Sequence, residues 1–259
     1  MDVDKIEVGE GAAIPRKKDW GLVSAWRVSL AGALIVLFYL ILAVSDPYWA
    51  IFKFLLDGVL VTFEVTIYAI AFSIVIGLFT GLGRISKNWF INLIASTYVE
   101  LIRGIPLLVQ LFYIYYALAK FIKVPPMVAA VLAMSVCYGA YMGEVFRAGI
   151  KSIDFGQTEA SLSLGFNQWQ TMFYVILPQA WRTILPPVGN EFIALLKDTS
   201  LVSILAVADL LRRGREFAST TFEYFETYTM VAIIYLVITL VLSKLVSIME
   251  ERLSRHERR

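Results

Sequence analysis

The 259-residue sequence holds one cysteine, Cys137, and one histidine, His256. A lone cysteine excludes an internal disulfide and any multi-cysteine zinc site. A lone histidine in a charged C-terminal stretch leaves almost nothing from which to build a Ser-His-Asp triad or a His-rich metal centre. Charge is scarce as well: Asp, Glu, Lys and Arg supply 17% of residues, where a soluble domain has about 25%. Lys plus Arg (23) against Asp plus Glu (21) leaves a net +2, too balanced to point to nucleic acid. No Gly-x-x-x-x-Gly-Lys-Ser/Thr loop occurs, so the backbone cradle that holds ATP phosphates is missing. What is abundant is apolar surface, at 59% of residues. A soluble fold must cover itself with polar groups, and this excess does not fit inside one ordinary core. The chain reads as an all-α polytopic membrane helix bundle.

Uncharged windows locate the spans, because roughly 20 apolar residues cross a bilayer core as helix. Uncharged runs of 18 residues (28–45), 19 (65–83), 20 (124–143) and 17 (227–243) stand out. A run of 16 (104–119) is lengthened on its other side by the apolar stretch from Phe90. A sixth candidate, Trp181 to Leu211, carries Pro186, Pro187, Glu191, Lys197 and Asp198, yet its middle is too apolar for a water-exposed loop. It is read as a polar span broken at its prolines. Ala43-Val44-Ser45 looks like a cleavage site, but the first apolar run exceeds the usual 7–15 residues of a signal peptide, so the expectation is a retained span.

Six spans put both termini on one side, and the positive-inside rule chooses which. Segments on the terminal side hold 15 Lys and Arg and the opposite segments six, so both termini are expected in the cytoplasm. Trp20, Trp26, Tyr48, Trp49, Trp89, Trp181 and Tyr224 fall near span ends, where interfacial aromatics belong. The expected organisation is a cytoplasmic tail at 1–25, an N-terminal span at 26–46, a transport domain at 55–250 with a cytoplasmic loop at 151–180, and a tail at 251–259. Gly77-x-x-x-Gly81 and Gly139-x-x-x-Gly143 have the spacing that lets helices approach closely.

The loop between the fourth and fifth spans is longer than a membrane hairpin needs. Thr158 suits the cap of a short helix and Gly165 the left-handed position that ends one. Asn167 then caps a second helix through Gln168 to Ile176, which ends before Leu177-Pro178. Two short helices jointed at a glycine and carrying Phe166 and Trp169 form an apolar cytoplasmic knob. A docking site and a helix lying on the lipid surface both fit such a knob.

Glu159-Ala160-Ser161, Gly165 six positions after the glutamate, and Ile176-Leu177-Pro178 resemble the cytoplasmic-loop signature of membrane subunits of bacterial ABC importers. Arg103-Gly104-Ile105-Pro106-Leu107-Leu108-Val109-Gln110, Glu144 to Ile150 and Asn190 to Ser200 make the chain similar to the polar amino acid subfamily over about Asp57 to Arg252. The usual third residue of the signature is alanine; Ser161 replaces it, a small change expected at the surface. The resemblance implies a five-span core with one added N-terminal span and a coupling helix in the loop, with Glu159, Ala160 and Gly165 at the contact. It implies four kinds of neighbour: a separate ATP-binding subunit that holds ATP and Mg, a second permease subunit, an extracytoplasmic amino acid-binding protein, and membrane lipid. No cofactor is then bound by this chain, and the chain is not itself an enzyme.

Ionisable groups inside spans are costly and default to functional hypotheses. Arg103 and Gln110 are seven apart and share a helix face, with Glu100 close enough to pair with Arg103. Glu191 and Asp198 are likewise seven apart. A zwitterionic amino acid needs a cation for its carboxylate and an anion for its ammonium, and Arg103 with Glu191 and Asp198 supply both. Gln110, Thr199 and Ser200 complete the candidate substrate-binding set. The alternative is that Glu100–Arg103 and Lys197–Asp198 are internal neutralising pairs that brace the bundle. Glu144 and Arg147 are read as structural. The external Arg212-Arg213-Gly214-Arg215 cluster, with Glu216, Glu223 and Glu226, is either a mixed-charge docking rim or a solvated loop. An ion-coupled secondary transporter or a channel subunit also carries intramembrane charges, but needs no glycine-jointed knob.

Overall fold

A computed structural model describes residues 24–254, all helical apart from their connections. The tail expectations at 1–23 and 255–259, with Trp20 and His256, lie outside the described residues. Helix α1 (Ala25–Phe38) starts where the Ser24 hydroxyl accepts the Arg27 N–H, and continues as a wider π-helical stretch, Tyr39–Val44. It lies along α10 (Tyr224–Ser254), where the Trp26 indole donates to the Leu240 carbonyl at 2.8 Å. Leu37 and Ile41 pack with Met230 and Ile234 and with Ile51 and Leu55 of α2 (Tyr48–Ile85). Tyr48 belongs to this buried cluster rather than to the interfacial belt, whereas Trp49, Trp89, Trp181 and Tyr224 are exposed.

The centre is the pair formed by α2 and α5 (Pro126–Lys151), and its closeness comes from the two glycine motifs. A Cβ on Gly77 would stand 2.3 Å from the Met142 Cβ, and one on Gly139 would stand 2.6 Å from Ile76. Gly143 meets Thr80 across the same seam. Removing Cβ atoms brings backbones together, which gains dispersion where lipid offers no hydrophobic drive between helices. Buried Val65, Ala69, Ala130, Met134 and Met142 fill the rest. At the end of this pair Arg84 binds Glu144, which also binds Arg147. Glu144 and Arg147 thus brace the bundle as expected. Glu100, exposed, lies 4.0 Å from Arg84 rather than beside Arg103.

Four described helices are long and apolar enough to cross a bilayer: Ala25–Val44, Tyr48–Ile85, Pro126–Lys151 and Tyr224–Leu253. Helix α3 (Trp89–Gly104) and the segment that begins as α4 (Leu107–Phe112) and runs on to Lys120 meet the same test together, bent by 100°, for a total of five. The bend replaces the single straight span expected over this stretch. Gly104 ends α3, and Pro106 holds Ile105 extended (φ −109°, ψ 127°). Arg103 and Gln110 therefore lie on two helices rather than on one face. The Gln110 amide reaches back and donates to the carbonyls of Ile102 and Ile105, both at 2.8 Å, supplying the donors that these acceptors lose at the bend.

The proline expectation is corrected in the opposite sense. Helix α8 (Leu177–Asp198) runs unbroken through Pro186 and Pro187 and changes to a 3-10 helix only at Thr199–Leu205. Its own polarity keeps it out of the set of helices that qualify as spans by composition.

In the loop between α5 and α8, α6 (Phe155–Ser163) is capped by Asp154, whose carboxylate accepts the Gly156 N–H, and not by Thr158. Gly165 takes the left-handed turn (φ +88°). Asn167 and Gln170 form a reciprocal capping box on α7 (Gln168–Gln170). This second helix does not stop before Leu177-Pro178: it widens to π geometry over Thr171–Ile176 and flows into α8. The added residue in a π turn accommodates a proline that lacks an N–H. Ser161 is buried, not exposed, and donates to the Thr171 hydroxyl at 2.9 Å, tying α6 to the π segment. After Ala206 (φ +64°), Asp209 caps α9 (Leu210–Thr221), an amphipathic helix that ends at Phe222 (φ +64°).

Candidate functional site

The bend between α3 and α4 opens one wall of a cavity of about 480 Å³. Arg103 and the backbone turn Gly104 to Leu107 supply that wall, and Tyr138 and Tyr141 of α5 and Glu191 and Asp198 of α8 also line the space. Three helices distant in sequence thus bring a guanidinium and two carboxylates to one half-open space. The volume falls in the range of small-molecule sites, roughly 300–1,000 Å³.

Each charge has a support. The Asp198 Oδ2 accepts a hydrogen bond from the Tyr138 hydroxyl at 2.8 Å. The Arg103 guanidinium lies over the Tyr141 ring, 5.1 Å from its centroid. The Tyr138 and Tyr141 rings are neighbours, with centroids 5.8 Å apart. Neither pairing expected for the bracing alternative is seen. Arg103 stacks instead of meeting Glu100, and Lys197 is exposed with no ion pair among the described residues.

Other members of the expected set stand apart. Gln110 is buried behind the bend, where its amide holds two backbone carbonyls and touches the Cys137 sulfur at 3.7 Å. Thr199 is buried and donates to the Leu196 carbonyl at 2.7 Å. Neither these two nor Ser200 line the cavity. Sequence does not single out Tyr138 and Tyr141, because aromatics in an apolar run look like core. Their only signal in sequence is spacing, three apart on the helix that also carries the glycine seam.

A second surface lies on the loop. Glu159, Ala160 and Gly165 are exposed, alongside Leu164 (80% exposed) and Trp169 (74%), whose indole stacks on Phe173. On α9, Arg212 and Arg213 both bind Glu216, while Arg215 donates to the Ser203 hydroxyl at 3.1 Å. Much of that cationic cluster is therefore neutralised or engaged internally. Among the described residues no group of three or more His, Cys, Asp or Glu side chains is placed to hold a metal ion, and Cys137 is free and buried.

A helical membrane bundle with an amphoteric cavity at a broken span has the architecture of a transport subunit. Residues 73–255 match the family described as binding-protein-dependent transport system inner membrane component, and the chain belongs to that family. It is 39% identical over 208 residues to the glutamine transport system permease protein GlnP of Escherichia coli (strain K12), covering 79% of this chain and 95% of that one. It is 40% identical over 215 residues to the L-cystine transport system permease protein TcyB of Bacillus subtilis (strain 168), covering 82% and 91% respectively. Among solved structures it is similar to an amino acid ABC transporter crystallised with histidines, at 44% identity and TM-score 0.74, covering 77% of this chain and 94% of that one.

Proposed function

We propose that this chain is the permease subunit of an ATP-driven importer that carries a polar amino acid, cationic or neutral, into the cytoplasm by alternating access. The observation that carries the reading is the presence of both charge signs on one cavity: Arg103 from α3, Glu191 and Asp198 from α8. Guanidinium holds an α-carboxylate through two parallel hydrogen bonds, and a carboxylate holds an ammonium. The excess of carboxylates sets the polarity, leaving one for a cationic side chain or a polar group. The names of the relatives, which speak of glutamine, cystine and histidine, support a substrate of this class.

The same reading places α8 with its 3-10 extension (177–205) as a polar span, which completes six, with both termini in the cytoplasm of a bacterial cell and the chain in its inner membrane. The loop at 151–180 docks on a separate ATP-binding subunit, which holds ATP and Mg, through Glu159, Ala160 and the Gly165 joint. A second permease subunit closes the open side of the cavity, and an extracytoplasmic binding protein delivers substrate over α9. Closure of the ATPase pair then switches the path between its two openings. Cys137→Ser gives a thiol-free background. In it, a cysteine at Ala119 is expected to label with a membrane-impermeant thiol reagent in intact cells, and one at Ser24 to stay protected. The reconstituted complex is expected to take up L-arginine or L-glutamine in an ATP-dependent way. Labelling at Ser24, or uptake driven by an ion gradient without ATP, contradicts the proposal.

A further inference from the structure

The cavity's charged groups sit on elements far apart in sequence, Arg103 at the end of α3 and Glu191 with Asp198 on α8. Arg103 stands one residue before a 100° bend, and Asp198 is the last α-helical residue of α8 before its 3-10 turn. Both positions are places where backbone can shift. Both side chains are nonetheless gripped by one helix, α5, which is the most firmly seated element of the bundle. Its glycines Gly139 and Gly143 are in backbone-close contact with α2, and the Tyr98 hydroxyl of α3 donates to its Val136 carbonyl at 2.6 Å. Tyr138 and Tyr141 project from this helix one turn apart, in mutual ring contact.

We infer that Tyr138 and Tyr141 are positioning residues that set the distance between the cavity's cationic and anionic anchors, and thereby its selectivity for amino acids. This rests on the substrate reading above. The Tyr141 face attracts the Arg103 guanidinium through its ring quadrupole, which fixes the plane of the cation without occupying its N–H groups. Those donors stay free for a carboxylate. The Tyr138 hydroxyl occupies one oxygen of Asp198 and leaves Oδ1 for a substrate cation. Glu191 has no such support among the described contacts, so the two carboxylates are not equivalent: Asp198 is the oriented anchor.

The two roles demand different chemistry from each tyrosine, and that makes them separable. Tyr141 acts through its ring and Tyr138 through its hydroxyl. In proteoliposomes holding the full complex, Tyr141→Phe is expected to keep KM for L-arginine and L-glutamine within about twofold of the unmodified protein. Tyr141→Leu is expected to raise both by about fivefold, since both substrates share the α-carboxylate, in line with the range for a cation–π contact of an exposed guanidinium. Tyr138→Phe keeps ring and volume and loses the hydroxyl. It is expected to raise KM about fivefold or more for L-arginine and less for L-glutamine, with kcat nearly unchanged. In the Asp198→Asn background, Tyr138→Phe should add little, a check that does not depend on the stability of the leucine variant. Equal KM values for Tyr141→Phe and Tyr141→Leu, or a Tyr138→Phe defect in kcat alone, overturn the inference. Arg103→Ala and Asp198→Asn serve as references. If both leave KM unchanged, the cavity reading itself fails; if they raise it while the tyrosine variants do not, only the positioning role fails.

Discussion

Two proline-bearing stretches of the bundle behave oppositely. At Gly104-Ile105-Pro106 the chain turns through 100° and a cavity opens, while at Pro186-Pro187 α8 continues without interruption. Proline removes a donor in both places, and the residue before it is pushed toward extended backbone in both. The difference lies in what surrounds them. At the bend Gly104 stands two residues before the proline and ends α3, and Gln110 supplies donors to the stranded carbonyls. In α8 tight packing holds the helix in line: Gly149 of α5 lies against Ile184, and Gly189 lies against Val246 of α10. A helix inside a membrane breaks where a polar side chain receives its loose ends, and proline alone does not suffice.

This comparison is most sharply broken at Gln110. Gln110→Leu keeps the bulk and leaves two partly buried carbonyls without their donor, each at a cost toward the low end of about 1–3 kcal/mol. Folded yield and the thermal midpoint of the purified complex are expected to fall clearly, and uptake with them. Pro186→Ala, by contrast, restores an N–H inside a helix that is already formed. It is expected to leave the midpoint unchanged or raise it, since proline is about 3 kcal/mol less favourable than alanine within a helix. A collapse of Pro186→Ala with a tolerant Gln110→Leu would reverse the account of the two stretches.

The loop offers a weaker contrast, because its turn uses backbone conformation alone. A Cβ at Gly165 would meet nothing within 4 Å, so the cost of Gly165→Leu is the left-handed φ of +88°, on the order of 1 kcal/mol. That is enough to tilt α6 against α7. The expected outcome is normal membrane insertion with ATP hydrolysis uncoupled from uptake. Full coupling in this variant removes the turn from the transmission path.

The smallest effect concerns the start of α9. Asp209 is wholly buried at the start of α9, and burial pushes its carboxyl up to about 7 against the pull of the Arg212 and Leu211 N–H groups and the Arg215 charge. The raised folded value means that the native state keeps a proton the unfolded chain loses above its ordinary value of 3.8. Stability from this group is therefore present at low pH, declines as pH rises from about 4 to about 7, and is flat above. Asp209→Asn keeps a capping acceptor and is expected to flatten the decline in a thermal-midpoint series over that window. A slope unchanged by the substitution assigns the pH response to other groups.

How far the sequence was legible depended on how local each feature is. The glycine seams, the αL turn at Gly165 and the Asn167 cap all follow from spacing within a few residues, and all are present. Asp154 displaced Thr158 as the cap of α6 because the helix starts a turn earlier, a boundary that periodicity does not define. Glu100 found Arg84 rather than Arg103 because the nearer partner lies on the facing helix. The charges of the cavity were readable, since an ionisable group in an apolar span is conspicuous. Their tyrosine supports were not, since Tyr138 and Tyr141 differ from core aromatics only through partners 60 and 38 residues away in the chain, read as Tyr138–Asp198 and Arg103–Tyr141.

The central claim is that Arg103 and the Asp198–Glu191 pair recognise opposite ends of an amino acid. Calorimetric binding of L-arginine, L-glutamine and L-glutamate to folded Asp198→Asn complex tests it most directly. Losing one charged hydrogen bond is worth about 1.5–3 kcal/mol, so L-arginine is expected to weaken by about tenfold or more and L-glutamine by less, with L-glutamate a poor ligand throughout. Affinities unchanged for all three would remove Asp198 from the site, and a preference of the unmodified protein for L-glutamate would reverse the polarity assigned to the cavity.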